Sequence, residues 1–159
     1  MIIYCCTNKM IKKIHHFEAT KETSDTILGD WYVDYLYERT GHLTLFTSEK
    51  SLLPVLIPSV PVDTIFERFL VFLERFLQFI VIQQNLIDSE ISLMNHKIIT
   101  KTRNKRVLGA MTDYKKHIKF YDYEYNLASL LNLSCFLSEI PFGSISYERP
   151  KEVTKKLFT

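Results

Sequence analysis

Alternating apolar and aromatic residues predict β-strands in the first third of the chain. Residues 2–6 are β-prone, and residues 31–37 and 43–47 flank a turn that contains Gly41, a pattern typical of a hairpin. A third run, residues 52–57, extends the hairpin to an antiparallel meander. Because Pro54 lacks an amide proton, it predicts that this strand lies at an edge or a bulge of the sheet.

Apolar residues at helical spacing predict helices in most of the remaining chain. Residues 64–67 fit a capping box, and an apolar stripe continues from Ile65 to Ile80. Asn104 is predicted to cap a helix over residues 105–119. The polar stretch 15–30 has no clear period and predicts a long surface loop. Shorter helices are predicted at residues 10–14, 85–94, 127–140 and 150–158, and a short strand at residues 97–102.

These elements predict a single α+β domain that covers residues 1–159. The sheet is expected to be antiparallel, with four or five strands built from the N-terminal strand, the meander and residues 97–102, and with helices packed on one face. The length of 159 residues, the hydrophobic fraction of 47% and the low numbers of Gly (4) and Pro (5) agree with one packed globule.

The cysteine pattern favours a reducing compartment, and we therefore expect a cytoplasmic protein. Cys5, Cys6 and Cys135 are odd in number, and no secretory signal precedes them. The most apolar stretch, residues 69–87, is interrupted by charged residues, so no membrane association is expected. None of the five histidines stands in a zinc-type spacing, and we predict neither a metal nor a cofactor.

Positive charge is concentrated in one part of the chain, residues 97–119, which we call the basic segment. It holds eight Lys and Arg residues against a single acid, Asp113, in a chain whose net charge is only +2. Such asymmetry predicts a surface that contacts nucleic acid or another polyanion. The alternative is a solvated strand end and helix face.

Four cations of the basic segment, Lys101, Arg103, Lys105 and Arg106, lie near the predicted helix start. Positive charges beside the positive end of a helix dipole are unfavourable, so we expect stability alone not to select them. Their replacement by Gln is accordingly expected to raise or preserve the melting temperature.

A polar site could be built at the same helix start from Asn104, Arg106, Thr112 and Asp113, because free backbone amides attract anions there. In the alternative interpretation Asn104 is only the helix cap and Gly109 only a packing contact.

The single tryptophan, Trp31, precedes Tyr35 and Tyr37 on the same alternate face of the first meander strand. These rings could stack nucleobases on an open sheet face. The alternative is that they form the core face of the sheet.

Several segments in this order resemble one bacterial family, the domain of unknown function numbered 6933. The resemblance implies no activity. The sequence departs from the family pattern at Lys105, where the pattern has Arg directly after Asn. It is carried by residues 1–3, 7–13, 28–32, 45–52, 104–113 and 137–143.

No catalytic motif is present, and the catalytic residues stay unassigned. We expect a non-enzymatic module that binds nucleic acid or another polyanion through the basic segment. The alternatives are an enzyme acting on RNA or a nucleotide, for which Asp30, Asp113 and Glu139 offer a nuclease-like set, and a protein-interaction partner in a defence or toxin–antitoxin system. The sequence does not predict the oligomeric state.

Overall fold

The computed structural model describes all residues, 1–159, as one five-stranded sheet and six α-helices. The strands are β1 (Ile2–Cys6), β2 (Trp31–Leu36), β3 (Leu43–Ser48), β4 (Pro54–Pro58) and β5 (Lys97–Lys101). The helices are α1 (Asn8–Ile14), α2 (Ile65–Phe79), α3 (Gln84–Ser92), α4 (Lys105–Phe120), α5 (Leu127–Leu137) and α6 (Pro150–Leu157). None of the helices combines the length and apolarity needed to cross a membrane.

The sheet is mixed, so the prediction of a purely antiparallel sheet is wrong. Its strand order is β4-β3-β2-β1-β5, and β2, β3 and β4 form the predicted antiparallel meander. β1, however, runs parallel to both of its neighbours, β2 and β5. Residues 7–30, which contain α1 and a long loop, return the chain to the end of the sheet where β1 began. A crossover of this length is what parallel pairing requires.

Helices cover both faces of the sheet, whereas the sequence predicted helices on one face only. Tyr4 and Trp31 are paired across β1 and β2 and face α2, where Phe69 lies 4.9 Å from the Trp31 ring. Successive side chains of a strand alternate between its two faces, and Asp34 lies three residues after Trp31 in β2. Asp34 therefore points to the face opposite to α2. There it pairs with Lys115 of α4.

The free edge of β4 is covered by helix α5. Pro54 opens β4, and this strand is the edge of the sheet, as predicted. The outward amide of Leu56 donates to Ser134 Oγ of α5 at 3.1 Å. Both residues are buried, so the contact satisfies an edge donor that would otherwise be left without a partner.

The predicted loop at residues 15–30 contains neither helix nor strand, but it is tied to the sheet and to α3. The amide of Glu18 donates to the carbonyl of Ile99 in β5 at 2.8 Å. The buried carboxylate of Glu90 accepts from the amides of Ile27 at 2.8 Å and Leu28 at 3.0 Å. These bonds fix a polar segment that has no regular structure of its own.

Helix α2 starts at Ile65 without the predicted capping box. Instead of accepting from a helix amide, Thr64 Oγ1 accepts from Arg68 Nε at 3.1 Å and donates to the carbonyl of Pro61 at 3.3 Å. The threonine therefore supports the arginine side chain and not the first turn of the helix.

Candidate functional site

The basic segment forms strand β5, a short connection and helix α4. Asn104 is the N-cap of α4, as predicted, and its Oδ1 accepts from the amide of Arg106 at 2.9 Å. Because this bond satisfies one of the unpaired amides of the first turn, Asn104 has a structural role that is independent of any ligand.

Arg103 is partly exposed, and its guanidinium holds the loop of residues 15–30 against the sheet. Its Nη2 lies 2.8 Å from Asp30 Oδ2, and its guanidinium also donates to the carbonyls of Thr20 at 2.9 Å and Glu22 at 2.6 Å. The Asp30 carboxylate further accepts from the amide and hydroxyl of Ser24. This aspartate is almost fully buried, so Arg103 balances a charge that water does not reach.

Arg106 and Lys115 also make internal contacts. Arg106 Nη2 donates to the carbonyl of Glu49 at 2.6 Å, which ties α4 to the turn between β3 and β4. Lys115 pairs with the buried carboxylate of Asp34, which also accepts from Thr7 Oγ1 at 2.6 Å. These contacts lead us to expect that Arg103 and Arg106, unlike Lys101 and Lys105, contribute to stability.

The five other cations of the basic segment are exposed lysines without a carboxylate partner. Two of them lie over aromatic rings, Lys97 over Phe66 and Lys101 over Phe17. Along α4 the lysines, from Lys105 to Lys119, extend over about 21 Å, at 1.5 Å per residue. The five are Lys97, Lys101, Lys105, Lys116 and Lys119.

The outer face of α4 between these lysines is polar and open. Thr112 and Asp113 are exposed, and Thr112 Oγ1 donates back to the carbonyl of Leu108 at 3.0 Å. Gly109 is exposed as well, and no atom lies within 4 Å of the place where a Cβ would stand. Gly109 is therefore not a packing contact within this chain, and the surface around it is free.

Trp31 does not belong to an exposed surface. Its side chain is fully buried, and its ring packs against Phe69 of α2. A ring without exposed surface cannot stack on a nucleobase, so Trp31 serves the core, in line with the alternative interpretation of the sequence.

The three carboxylates of the nuclease-like set take separate roles. Asp30 pairs with Arg103, Glu139 pairs with Lys151 at 2.7 Å, and Asp113 lies on the exposed face of α4. No group of three His, Cys, Asp or Glu residues is close enough to hold a metal ion. The structure therefore does not assemble these carboxylates into one site.

A buried thiol, Cys5 of β1, lies near the charges of Asp30 and Arg103. Burial, and next the charge of Asp30, raise the pKa of Cys5 to about 12, so the group is a neutral thiol at physiological pH. Its cross-strand neighbour Tyr32 is also fully buried. A thiol of this kind is a packing residue and not a nucleophile.

Sequence reasoning missed a cleft beside the end of the basic segment. The cleft lies between the β2–β3 hairpin loop and the end of α4, measures about 570 Å³, and is lined by the tyrosines Tyr37, Tyr121 and Tyr123 together with Arg39 and Lys119. Thr40 Oγ1 donates to Tyr123 Oη at 2.9 Å, which connects its two walls. The signal in the sequence was the alternation Tyr121, Tyr123, Tyr125 directly after the predicted helix.

Comparison with known proteins identifies the family of the chain. Comparisons with curated proteins and with solved structures gave no match. The family described as Domain of unknown function (DUF6933) matches residues 3–153, which is nearly the whole length. That range includes all five strands, the basic segment and the tyrosine-lined cleft, apart from Ile2 at the start of β1. The chain therefore belongs to the DUF6933 family.

Proposed function

We propose that this protein is a non-enzymatic module that binds nucleic acid, or another polyanion of similar charge spacing, through the lysines of the basic segment. The observation that carries the proposal is that Lys97, Lys101, Lys105, Lys116 and Lys119 have exposed ammonium groups and no acidic partner. Lysines in this state are free to neutralise phosphates and release their counterions.

The tyrosine-lined cleft favours single-stranded nucleic acid over other polyanions. The cleft begins at Lys119, where the row of lysines along α4 ends. Tyr37 is 56% exposed and Phe120, next to Lys119, is 91% exposed. Exposed rings beside cations are the combination on which unpaired bases stack, whereas the bases of a duplex are not accessible to them.

The three free cysteines agree with this proposal. Cys5, Cys6 and Cys135 form no disulfide, and such thiols are typical of a reducing compartment. We therefore propose that the protein acts in the cytoplasm, where nucleic acid is available to it.

The first experiment measures binding of a labelled 20-nucleotide RNA at several salt concentrations. The test variant changes Lys101, Lys105, Lys116 and Lys119 to Gln; these four residues make no ion pair, so the fold should persist. The matched control makes the same charge change at four exposed lysines elsewhere, Lys9, Lys12, Lys21 and Lys50.

We expect the test variant to bind more weakly and with a flatter dependence on salt, because each lost phosphate contact on a single strand lowers the slope by about 0.7. The control should bind nearly as the parent does. If both variants lose the same affinity, only the net charge of the protein matters, and the basic segment is not the binding surface. Cleavage or modification of the RNA would favour the enzyme alternative.

The second experiment tests the rings. Tyr37 lines the cleft, and Phe120 lies in the chain between the cleft residues Lys119 and Tyr121. Changing both rings to Ser should weaken binding of single-stranded RNA by about 1–3 kcal/mol per lost stack and leave the salt slope unchanged. Tyr147, 80% exposed and outside the cleft, provides the control change Tyr147→Ser. Equal affinity for single-stranded and duplex RNA would contradict the role of the cleft while leaving that of the lysines intact.

A further inference from the structure

A second cleft lies beside β4, the edge strand at the opposite end of the sheet from β5. It is bounded by the end of β4, the middle of α2 and the first residue of α5, and its volume is about 370 Å³. A volume of this size is within the range of small-molecule sites, which is roughly 300–1,000 Å³. None of the residues of the basic segment lines it.

The walls of this second cleft are apolar although they are open to solvent. Val60, Val71 and Leu127 are 63%, 57% and 52% exposed, and the buried Ile57 of β4 also lines the cleft. Exposed apolar side chains that surround one concavity, with charged residues at its margin, mark binding sites more often than scattered exposed residues do.

Two arginines of α2 stand at the margin of the cleft. Arg68 and Arg75 are seven residues apart, two helical turns, and both line the cleft on the side of Val71. Their Cα atoms are therefore about 10 Å apart along the helix axis. Neither arginine forms an ion pair with any carboxylate of the chain.

The guanidinium of Arg68 is held in place by neutral acceptors only. Its Nη1 donates to the carbonyl of Pro58 at 2.6 Å, and its Nη2 donates to the carbonyls of Ser59 at 3.3 Å and Pro61 at 2.6 Å. Its Nε donates to Thr64 Oγ1. These bonds use four of its five N–H donors, so one donor of Nη1 is free. Burial lowers the pKa of Arg68, opposed by the charges of Tyr125, Asp63 and Glu67, none of which forms an ion pair with it.

We propose that this cleft binds a small apolar carboxylate, with the hydrocarbon body against Ile57, Val71 and Leu127 and the carboxylate between Arg75 and the free donor of Arg68. An apolar lining disfavours a highly charged ligand such as a polyphosphate, and the two arginines disfavour a neutral or cationic one. Charge and lining together specify an anion of low polarity. The proposal is independent of the nucleic-acid function, because the two surfaces share no residue.

The experiment titrates 2-naphthoate into the full-length protein by isothermal calorimetry and compares it with the neutral 2-naphthamide. Three variants are measured in parallel. Arg75→Gln removes the free cation, Val71→Asp places an anion in the apolar wall, and Arg149→Gln is the matched control at an exposed arginine outside the cleft. Val71 and Arg75 are exposed, so their variants should fold, and thermal melting verifies this for each protein.

We expect saturable binding of 2-naphthoate, a loss of about tenfold in affinity for Arg75→Gln, which corresponds to one charge-assisted contact, and no detectable binding to Val71→Asp. Arg149→Gln should bind as the parent does, and 2-naphthamide at least about tenfold more weakly than the acid. The proposal is overturned if 2-naphthoate does not saturate, if the amide binds as well as the acid, or if folded Val71→Asp retains parental affinity. An acidic peptide that binds the cleft in the absence of naphthoate binding would likewise overturn it and identify the surface as a protein-docking site.

Discussion

Arg103 and Asp30, which are 73 positions apart in the chain, form an ion pair at 2.8 Å in which the side chain of the aspartate is only 2% exposed. The arginine belongs to the connection between β5 and α4, and the aspartate directly precedes β2. Their contact fixes the start of α4 relative to the sheet. The same contact thereby also positions the exposed lysines Lys101 and Lys105 on either side of Arg103.

Removal of Arg103 should destabilise the protein. Arg103→Gln leaves the buried Asp30 carboxylate with only the two donors of Ser24, and an unpaired buried charge is costly. Because the arginine side chain is 30% exposed, we expect a loss of about 2–4 kcal/mol, below the full value for a completely buried pair. Urea denaturation measures this loss.

The matched control is Lys101→Gln, two residues earlier on the same segment, for which the change should be within about 0.5 kcal/mol. A stable Arg103→Gln protein with impaired RNA binding would show instead that Arg103 is a contact residue.

Asn104→Ala should lower the free energy of unfolding by about 0.5–2 kcal/mol, because the amide of Arg106 loses its acceptor. Asn104→Ser keeps a capping oxygen and should lose much less. Thermal and chemical denaturation of both variants provides the comparison. Lost RNA binding at unchanged stability would argue that Asn104 touches the ligand and that its cap bond is incidental.

The raised pKa of the buried Glu90 carboxyl should make the stability of the protein depend on pH. Burial raises the pKa of this carboxyl, opposed by the amides of Ile27 and Leu28. The folded state therefore holds its proton more strongly than the unfolded chain does. The contribution of Glu90 to stability is present in full below its unfolded pKa, and it is lost as pH rises through the raised pKa.

Glu90→Gln removes this titration but places an NH₂ group against one of two amide donors, which costs about 1–3 kcal/mol. The stability advantage of the parent over Glu90→Gln should accordingly be largest at low pH and shrink towards neutrality. Urea denaturation at a series of pH values measures it, and an advantage that grows with pH would contradict the raised pKa.

The thiols should differ in reactivity. Burial raises the pKa of all three thiols, but Cys5 and Cys6 are fully buried, whereas Cys135 is only partly buried. With a pKa of about 12, Cys5 is about one part in ten thousand thiolate at pH 8. A colorimetric thiol reagent should therefore modify one cysteine per native molecule, the one at Cys135, and all three in guanidinium. Rapid modification of Cys5 in the native protein would contradict its burial.

The sequence predicted most local features of the fold, although not the way α2 begins, and missed those that depend on distant pairing. Helix periods and the Asn104 cap are local, since each is decided within a few residues. The direction of β1 relative to β2 depends on how residues 7–30 cross the sheet, and no local pattern specifies that. The same apolar alternation also fits a sheet covered on one face or on both, so the second helical layer was missed.

The candidate sites were limited by the same cause. The charge of the basic segment could be counted, but which cations are free depends on partners elsewhere in the chain, such as Asp30 for Arg103 and Glu49 for Arg106. The tyrosine-lined cleft joins residues 37–40 to residues 118–123, so neither half by itself indicates a cavity.

Tyr114 supplies the final prediction, because it links α4 to the turn before β4. Its Oη donates to the carbonyl of Leu52 at 2.6 Å, and both residues are fully buried. Leu52 has a φ of 61°, a left-handed conformation that is unfavourable for a leucine and has to be held by its surroundings.

Tyr114→Phe keeps the ring against Phe142 but leaves the Leu52 carbonyl without this donor, so we expect the free energy of unfolding to fall by about 1–3 kcal/mol. The measurement is urea denaturation with Tyr123→Phe as control, since the hydroxyl of Tyr123 bonds only to the exposed Thr40 and should contribute less. If the two variants lose equal stability, the Tyr114 hydroxyl does not stabilise the turn, and the conformation of Leu52 depends on the packing of its own side chain.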